Sequence, residues 1–386
     1  LAATGGTLAP GRGKPSALWL WTSADARAAL ATGNLGIIMK AWRTITGTGQ
    51  RALAEALGYD STYISMIENN RRDIVDVDSR RRFAHHLSIP PHVLGVTDRD
   101  DADHVAMLQF GYSTLRLAAL ARRSGHGTAA VNELWPLVAR LEARGEQGML
   151  DHDLLTLLAR ARAELGVSLG YVLPEERLAS AARWTGKALQ VAQHLDEPDL
   201  RSYALRVHGN ELRKAGHPAA AHLHLTHAAA ITSGAGRAEV LLQLARVTFD
   251  PDILDALIIQ LRQLADQDLD GSADGLLNPT AIRETELRGL LATGRAGQAL
   301  QLLETFAASG WAPPQWRIIE RITIAEVLIA CGDTTAAAFE LTAAVADATV
   351  HRLPHQLQRA QRAAQTRLPD IAEHAARGLQ TLTAPP

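Results

Sequence analysis

Ser61, Thr62, Ser65, Met66 and Asn69 recur along one side of a short segment, while Ile64 and Ile67 recur on the other. That spacing predicts a helix with one apolar face and one face of hydroxyl, amide and thioether groups. Hydroxyls and amides on such a face can hydrogen-bond to base edges, and the Thr62 methyl can meet a thymine methyl; Met66 offers only apolar contact. A helix this short, with a polar outer face, fits the major groove of duplex DNA.

Two earlier helices must hold that face outward. Leu35, Ile38, Trp42 and Ile45 form one apolar stripe, and a second helix starts at Gln50 with Leu53, Ala54 and Leu57. Gly58 stands where a left-handed turn residue belongs, and Ala54 leaves room for two helices to cross closely. Asp60 then caps the third helix, which carries Tyr63, Ile64, Ile67 and Glu68. Upstream, Thr22 or Ser23 caps a short lead-in helix that Gly33-Asn34 ends, and residues 1–16 read as a disordered tail. The expected organisation is a tail at 1–16, a helical lead-in at 17–34, a helix-turn-helix domain at 35–95, a linker at 96–103 and a helical-repeat domain at 104–383.

The run from Gln50 through Gly58, Asp60 and Ile64-Ser65-Met66-Ile67-Glu68 to Arg72 closely resembles the phage-repressor-like (Xre-type) helix-turn-helix family. The resemblance spans roughly residues 35–95, including the closing stretch Leu87–Leu94. It implies that Gln50 caps the second helix and holds a DNA phosphate. Ser61, Thr62 and Met66 would face base edges, and Asn69 and Arg71 would hold phosphate. Asn70 stands where the family often has Gly, and Asn tolerates the left-handed conformation. Local charge is slightly positive: Lys40, Arg43, Arg51, Arg71, Arg72 and Arg80 to Arg82 oppose Glu55, Asp60, Glu68, Asp73, Asp76 and Asp78. The DNA-contacting set is therefore Arg43, Gln50, Arg51, Ser61, Thr62, Tyr63, Ser65, Met66, Asn69, Arg71 and Arg72. So few cations bind phosphate weakly in one copy, which predicts a homodimer on a palindromic double-stranded operator with reading helices about 34 Å apart.

From about residue 104 onward the chain reads as one helical hairpin after another. Its clearest repeat has a Gly, then Ala five residues on, Leu four further, and Ala or Phe three further. It occurs at Gly216, Ala221, Leu225 and Ala228; at Gly294, Ala299, Leu303 and Phe306; and at Gly332, Ala337, Leu341 and Ala344. A Leu precedes each Gly by four (Leu212, Leu290, Leu328), and the period is about 39 residues. The pattern resembles tetratricopeptide repeats, which implies a solenoid with a concave groove. A repressor-like reader followed by such repeats is similar to regulators of Gram-positive bacteria, including peptide-pheromone receptors. By that analogy Tyr203, Asn210 and Arg213 face the groove, whose occupant is a peptide, a small molecule or another subunit.

The expected fold class is all-α, a helix-turn-helix bundle followed by a tetratricopeptide-like solenoid. Aromatics are scarce, and Ala and Leu abundant, as close-packed helices require. The formal net charge of -2 argues against nonspecific coating of nucleic acid. Cys331 is the single cysteine, so neither an internal disulfide nor a Cys-rich zinc site is possible; it fits a reducing cytoplasm, here a bacterial one. No apolar run reaches the length of a membrane span. His222, His224 and His227 do not converge on one helix face, and Pro354 separates His351 from His355, so no metal site is expected. With no nucleophile elbow, zinc-protease signature or phosphate loop, no enzyme and no cofactor are expected. Of seven tryptophans, Trp311 and Trp316 flank Pro313-Pro314 and are expected to be the exposed pair. The competing reading is a protein-binding scaffold whose repeats hold a partner and whose N-terminal helices dock it.

Overall fold

The computed structural model describes residues 20–96, 99–146, 150–233, 236–267, 277–305 and 312–383, with backbone only at 99–102 and 265–267. The proposed tail, Trp19, Asp98, Phe306 and Trp311 lie outside them. Among the described residues the fold is all-α, with no strand. The chain divides into two compact units. The first runs up to Gly111 and includes Ala139–Leu158 and Gln193–Asp196; the second comprises Tyr112–Val138, Ala159–Ala192 and the chain from Glu197 onward.

In the first unit α1 (Ala24–Ala31) starts at Ser23, whose side chain accepts from the Ala26 N–H, and α2 (Leu35–Thr46) starts at Asn34, which accepts from Ile37. Then follow α3 (Gln50–Leu57), α4 (Ser61–Glu68) and α5 (Val77–Leu87). One core joins them. Ile38, Leu53, Ile64, Phe83 and Leu87 are fully enclosed, and Trp21 of the lead-in packs in the same cluster. The Trp21 indole N–H donates to the Leu87 carbonyl at 2.9 Å, so the residues before α2 belong to the bundle energetically as well as spatially. Gly36 permits a close crossing of α2 and α4: a Cβ there would stand 2.4 Å from the Ile67 carbonyl oxygen.

Helices α6 (Arg99–Arg123), α7 (Gly127–Glu146), α8 (His152–Val172) and α9 (Leu178–His194) lead into a regular series. Among the described residues five hairpins follow: α10 (Pro198–Lys214) with α11 (Pro218–Ile231), α12 (Gly236–Ala245) with α13 (Pro251–Gln267), α14 (Pro279–Ala292) with α15 (Ala296–Thr305), α16 (Pro314–Cys331) with α17 (Thr334–Val350), and α18 (Pro354–Ala364) with α19 (Pro369–Thr383). The first helix of each hairpin packs on the first helix of the next, α10 on α12, α12 on α14, α14 on α16 and α16 on α18, which is solenoid packing. The repeat glycines and the alanines five residues after them do what their spacing implied, while Leu303 is only half-buried. Gly216, Gly294 and Gly332 have φ of 84°, 75° and 91° at three hairpin turns, and Ala221, Ala299 and Ala337 are fully buried at the crossings behind them.

The tryptophan expectation is corrected. Trp316 is 3% exposed, packed among Leu241, Leu242 and Ala281, with the Arg246 guanidinium 5.1 Å from its ring. Among the described residues the exposed tryptophan is Trp135, half open and edge-on to Trp184 at 5.5 Å.

Candidate nucleic-acid interface and effector cavity

The turn that presents α4 is made as the residue types require. Gly58 adopts φ 74° at the end of α3, and the Asp60 carboxylate accepts the Thr62 N–H at 2.7 Å to start α4. Those hydrogen bonds hold the Asp60 carboxyl below its ordinary range. Burial of Ile64, Ile67 and Glu68 turns the other side of α4 outward: Ser61, Thr62 and Asn69 are exposed, Ser65, Met66 and Tyr63 half-buried. Tyr63 is fixed in place, stacked on Tyr59 at 4.8 Å with Arg72 over its ring at 4.7 Å. Asn69 closes α4 by donating its amide to the Ser65 carbonyl, and Lys40 reaches its oxygen at 3.4 Å. Asn70 takes φ 54°, the left-handed conformation. Arg51, Arg71 and Arg72 are exposed around the face. Arg71, Arg72 and Arg80 also border a concavity of about 390 Å³ beside the start of α2.

Arg43 and Gln50 have a place that spacing alone did not show. Glu68 is buried, and both residues converge on it. Arg43 Nε and a terminal nitrogen donate to its two oxygens at 2.6 and 3.1 Å, and the Gln50 amide donates at 2.5 Å. Arg43 also donates to the Thr48 carbonyl at 3.2 Å. The cap assigned to Gln50 is corrected, because Gly49 occupies the N-cap of α3 with no side-chain bond and Gln50 is the first helical residue. The available signal was Glu68 itself, an acid on the apolar side of a short helix, which needs a cation beside it.

In the second unit the first helices of the hairpins carry buried polar groups on their facing sides. Tyr203 borders an open trough of about 1060 Å³ and donates its hydroxyl to Glu164 at 2.5 Å. Asn210 and Arg213 line a smaller cavity of about 220 Å³, built from α8, α10, α12, α14, α16 and α18. Glu284 at its edge is fully buried: desolvation alone would raise its carboxyl, but Arg288, Arg246 and Arg359 outweigh it and hold the group at about 2. His355 is held at about 3, chiefly by burial and then by the charges of Lys214 and Arg213. The cavity is closed at one side by long-range bonds: Glu175 N–H to Gln358 at 2.8 Å, Arg362 to the Glu175 carboxylate, and Gln315 to the Tyr171 hydroxyl at 3.1 Å.

The other histidines sit elsewhere. His222 and His227 are exposed, while His224 meets His208 edge-on at 4.9 Å in the α10–α11 seam. Among the described residues no three His, Cys, Asp or Glu side chains are grouped to hold a metal ion. No described helix is long and apolar enough to cross a membrane.

No protein-family model matches the chain, and no curated protein does. Among solved structures, it is similar to Bacillus thuringiensis PlcR in complex with the peptide PapR7 and DNA, at 14% identity and TM-score 0.31, over 92% of this chain and 100% of that one. It is also similar to the tetratricopeptide-repeat domain of P58(IPK), at 12% identity and TM-score 0.24, over 93% and 97%.

Proposed function

We propose that this chain is a sequence-specific, DNA-binding transcription regulator of the phage-repressor-like type, acting as a homodimer in a bacterial cytoplasm. Residues 35–95 are the reader, residues 96–103 the linker and residues 104–383 the sensor of a peptide or small molecule. The observation that carries the reading is the outer face of α4. A fully enclosed core holds the helix from behind, and what it presents outward is Ser61, Thr62, Ser65, Met66 and Asn69 with Arg51, Arg71 and Arg72 at the margins. Hydroxyls and an amide on a rigid short helix suit base edges, and flanking arginines suit phosphates. Gln50 and Arg43 then act by fixing α3 and α2 against α4 through Glu68. An effector changes operator affinity only by binding one arrangement of the dimer better than another.

Selection of binding sites from random duplex DNA tests this, with the wild type beside a Ser61→Ala/Thr62→Ala double variant. The expected result is a two-fold symmetric site that the variant loses or alters. Binding should weaken steeply with salt, and Arg71→Ala should lower the salt slope by about one. Failure to enrich any site at low salt refutes the reading and leaves the scaffold role.

A further inference from the structure

The cavity between α8 and α18 has a charge imbalance. Among the described residues six cationic groups border it, Arg213, Lys214, Arg246, Arg288, Arg359 and Arg362. Four carboxylates answer them. Lys214 meets Glu211 at 2.7 Å, Arg359 meets Glu326 at 2.5 Å and Arg362 pairs with Glu175. Glu284 is shared, with Arg246 at 3.3 Å, Arg288 in a short contact and Arg359 at 3.9 Å. Arg213 has none. It donates to the Asn210 side-chain oxygen at 2.9 Å, no carboxylate of the described residues lies within ion-pair distance, and its Nε is buried without an acceptor. The wall therefore carries a surplus of about two positive charges in a place where an uncompensated charge is costly.

A second observation is independent of charge. Gln243, Gln315 and Gln356 line the same cavity and are 2%, 4% and 6% exposed, and the amide oxygen of each has no hydrogen-bond partner. Buried polar groups are ordinarily paired, so three unpaired acceptors around one cavity call for donors from outside the protein. The space is small. At about 220 Å³ it suits a compact ligand.

We propose that this cavity is an effector site for a compact dianion that also carries hydroxyl or amine donors, such as a phosphate monoester or a hydroxy-dicarboxylate. Arg213 supplies the guanidinium left over for the anion, Arg246 and Arg288 stand beside it, and the glutamine oxygens accept from the donors. Guanidinium forks suit either oxyanion. The inference rests on reading the second unit as the sensor, but its test makes no use of DNA, so the two readings fail separately.

Thermal unfolding and titration calorimetry of the full chain test it, with glycerol 3-phosphate and malate as probes. Sodium chloride at equal ionic strength and neutral glycerol are the controls. One dianion or both should raise Tm by about 5 °C or more near saturation, while the controls do not. A response to glycerol 3-phosphate alone assigns the site to phosphate monoesters, to malate alone to dicarboxylates, and to both a site that reads charge. Arg213→Gln should abolish the response and raise the ligand-free Tm, because the surplus charge is gone; an arginine that only props the fold would lower it. Should that variant fail to fold, Gln356→Leu serves, expected to fold and to bind the dianion at least ten-fold more weakly. The proposal is overturned if neither dianion exceeds chloride, or if the response survives in both variants.

Discussion

Removing the carboxylate of Glu68 perturbs one ion pair and leaves two dependents. Arg43 and Glu68 form a two-pronged pair, with side-chain exposures of 24% and 1%. At about 4 Å between charge centres and an effective dielectric near 20, the attraction is about 4 kcal/mol before desolvation is counted. Breaking a fully buried pair costs about 3–5 kcal/mol, and an exposed one about 0–1. Arg43 can partly rehydrate, so Glu68→Ala should cost about 2–3 kcal/mol, including the lost Gln50 bond. Arg43→Ala should cost about the same, since it strands a buried carboxylate, and the double variant should cost far less than the sum. The assay is a double-mutant cycle by urea unfolding of the full chain, followed by tyrosine and tryptophan fluorescence. A coupling of about 1.5–2.5 kcal/mol is expected. If the two substitutions simply add, Arg43 is not held by Glu68, and its role as a phosphate contact returns.

Stability should fall as pH drops from about 6.5 to about 4. His208 and His355 are held at about 4 and about 3, first by burial and then by neighbouring positive charge, so the unfolded chain takes up their protons near 6.5 while the folded chain does not. Melting curves across that window should flatten in His208→Gln/His355→Gln, and an unchanged slope would rule the two histidines out. Below about 4.5 Glu284 adds to the loss, since its ordinary carboxylate value lies there and its folded value is about 2. Gly36→Ala should destabilise the first unit by about 1–3 kcal/mol and abolish DNA binding, because its methyl meets the Ile67 carbonyl 2.4 Å away and α4 must shift; circular dichroism with a DNA-binding assay reads both.

Local chemistry was legible in the sequence. Ser23, Asp60, Gly58 and the glycines at 216, 294 and 332 act where their types require, because caps and left-handed turns are decided by a few neighbouring residues. Leu225, Leu341 and their alanines are buried as the repeat pattern demanded. What escaped is long-range. Gln50 and Arg43 meet Glu68 across 18 and 25 residues, and nothing in either local pattern distinguishes a phosphate contact from an internal clamp. Trp316 sits near prolines, which predicts exposure, yet it starts α16 and faces α12 and α14. The inner wall of the second unit draws its polar residues from six helices far apart in the chain, from α8 to α18. Arg246, Arg288 and Arg359 look like solvated charges until the hairpins stack, although Gln243 and Gln356 on largely apolar faces were a usable hint.

The bonds between Glu175 and the α18 residues Gln358 and Arg362 bear on how the second unit folds and comes apart. Stacked repeats normally fray from whichever end is open, each hairpin depending only on its neighbour. Here contacts spanning more than 180 residues tie the helices near the start of the series to its last hairpin. Loop-closure entropy makes such contacts late events in folding, so the hairpins assemble first and the clasp forms over a nearly finished array. Once fastened, it removes the weak end at which unzipping would begin, and the described helices between, α9 to α17, must open together rather than one after another.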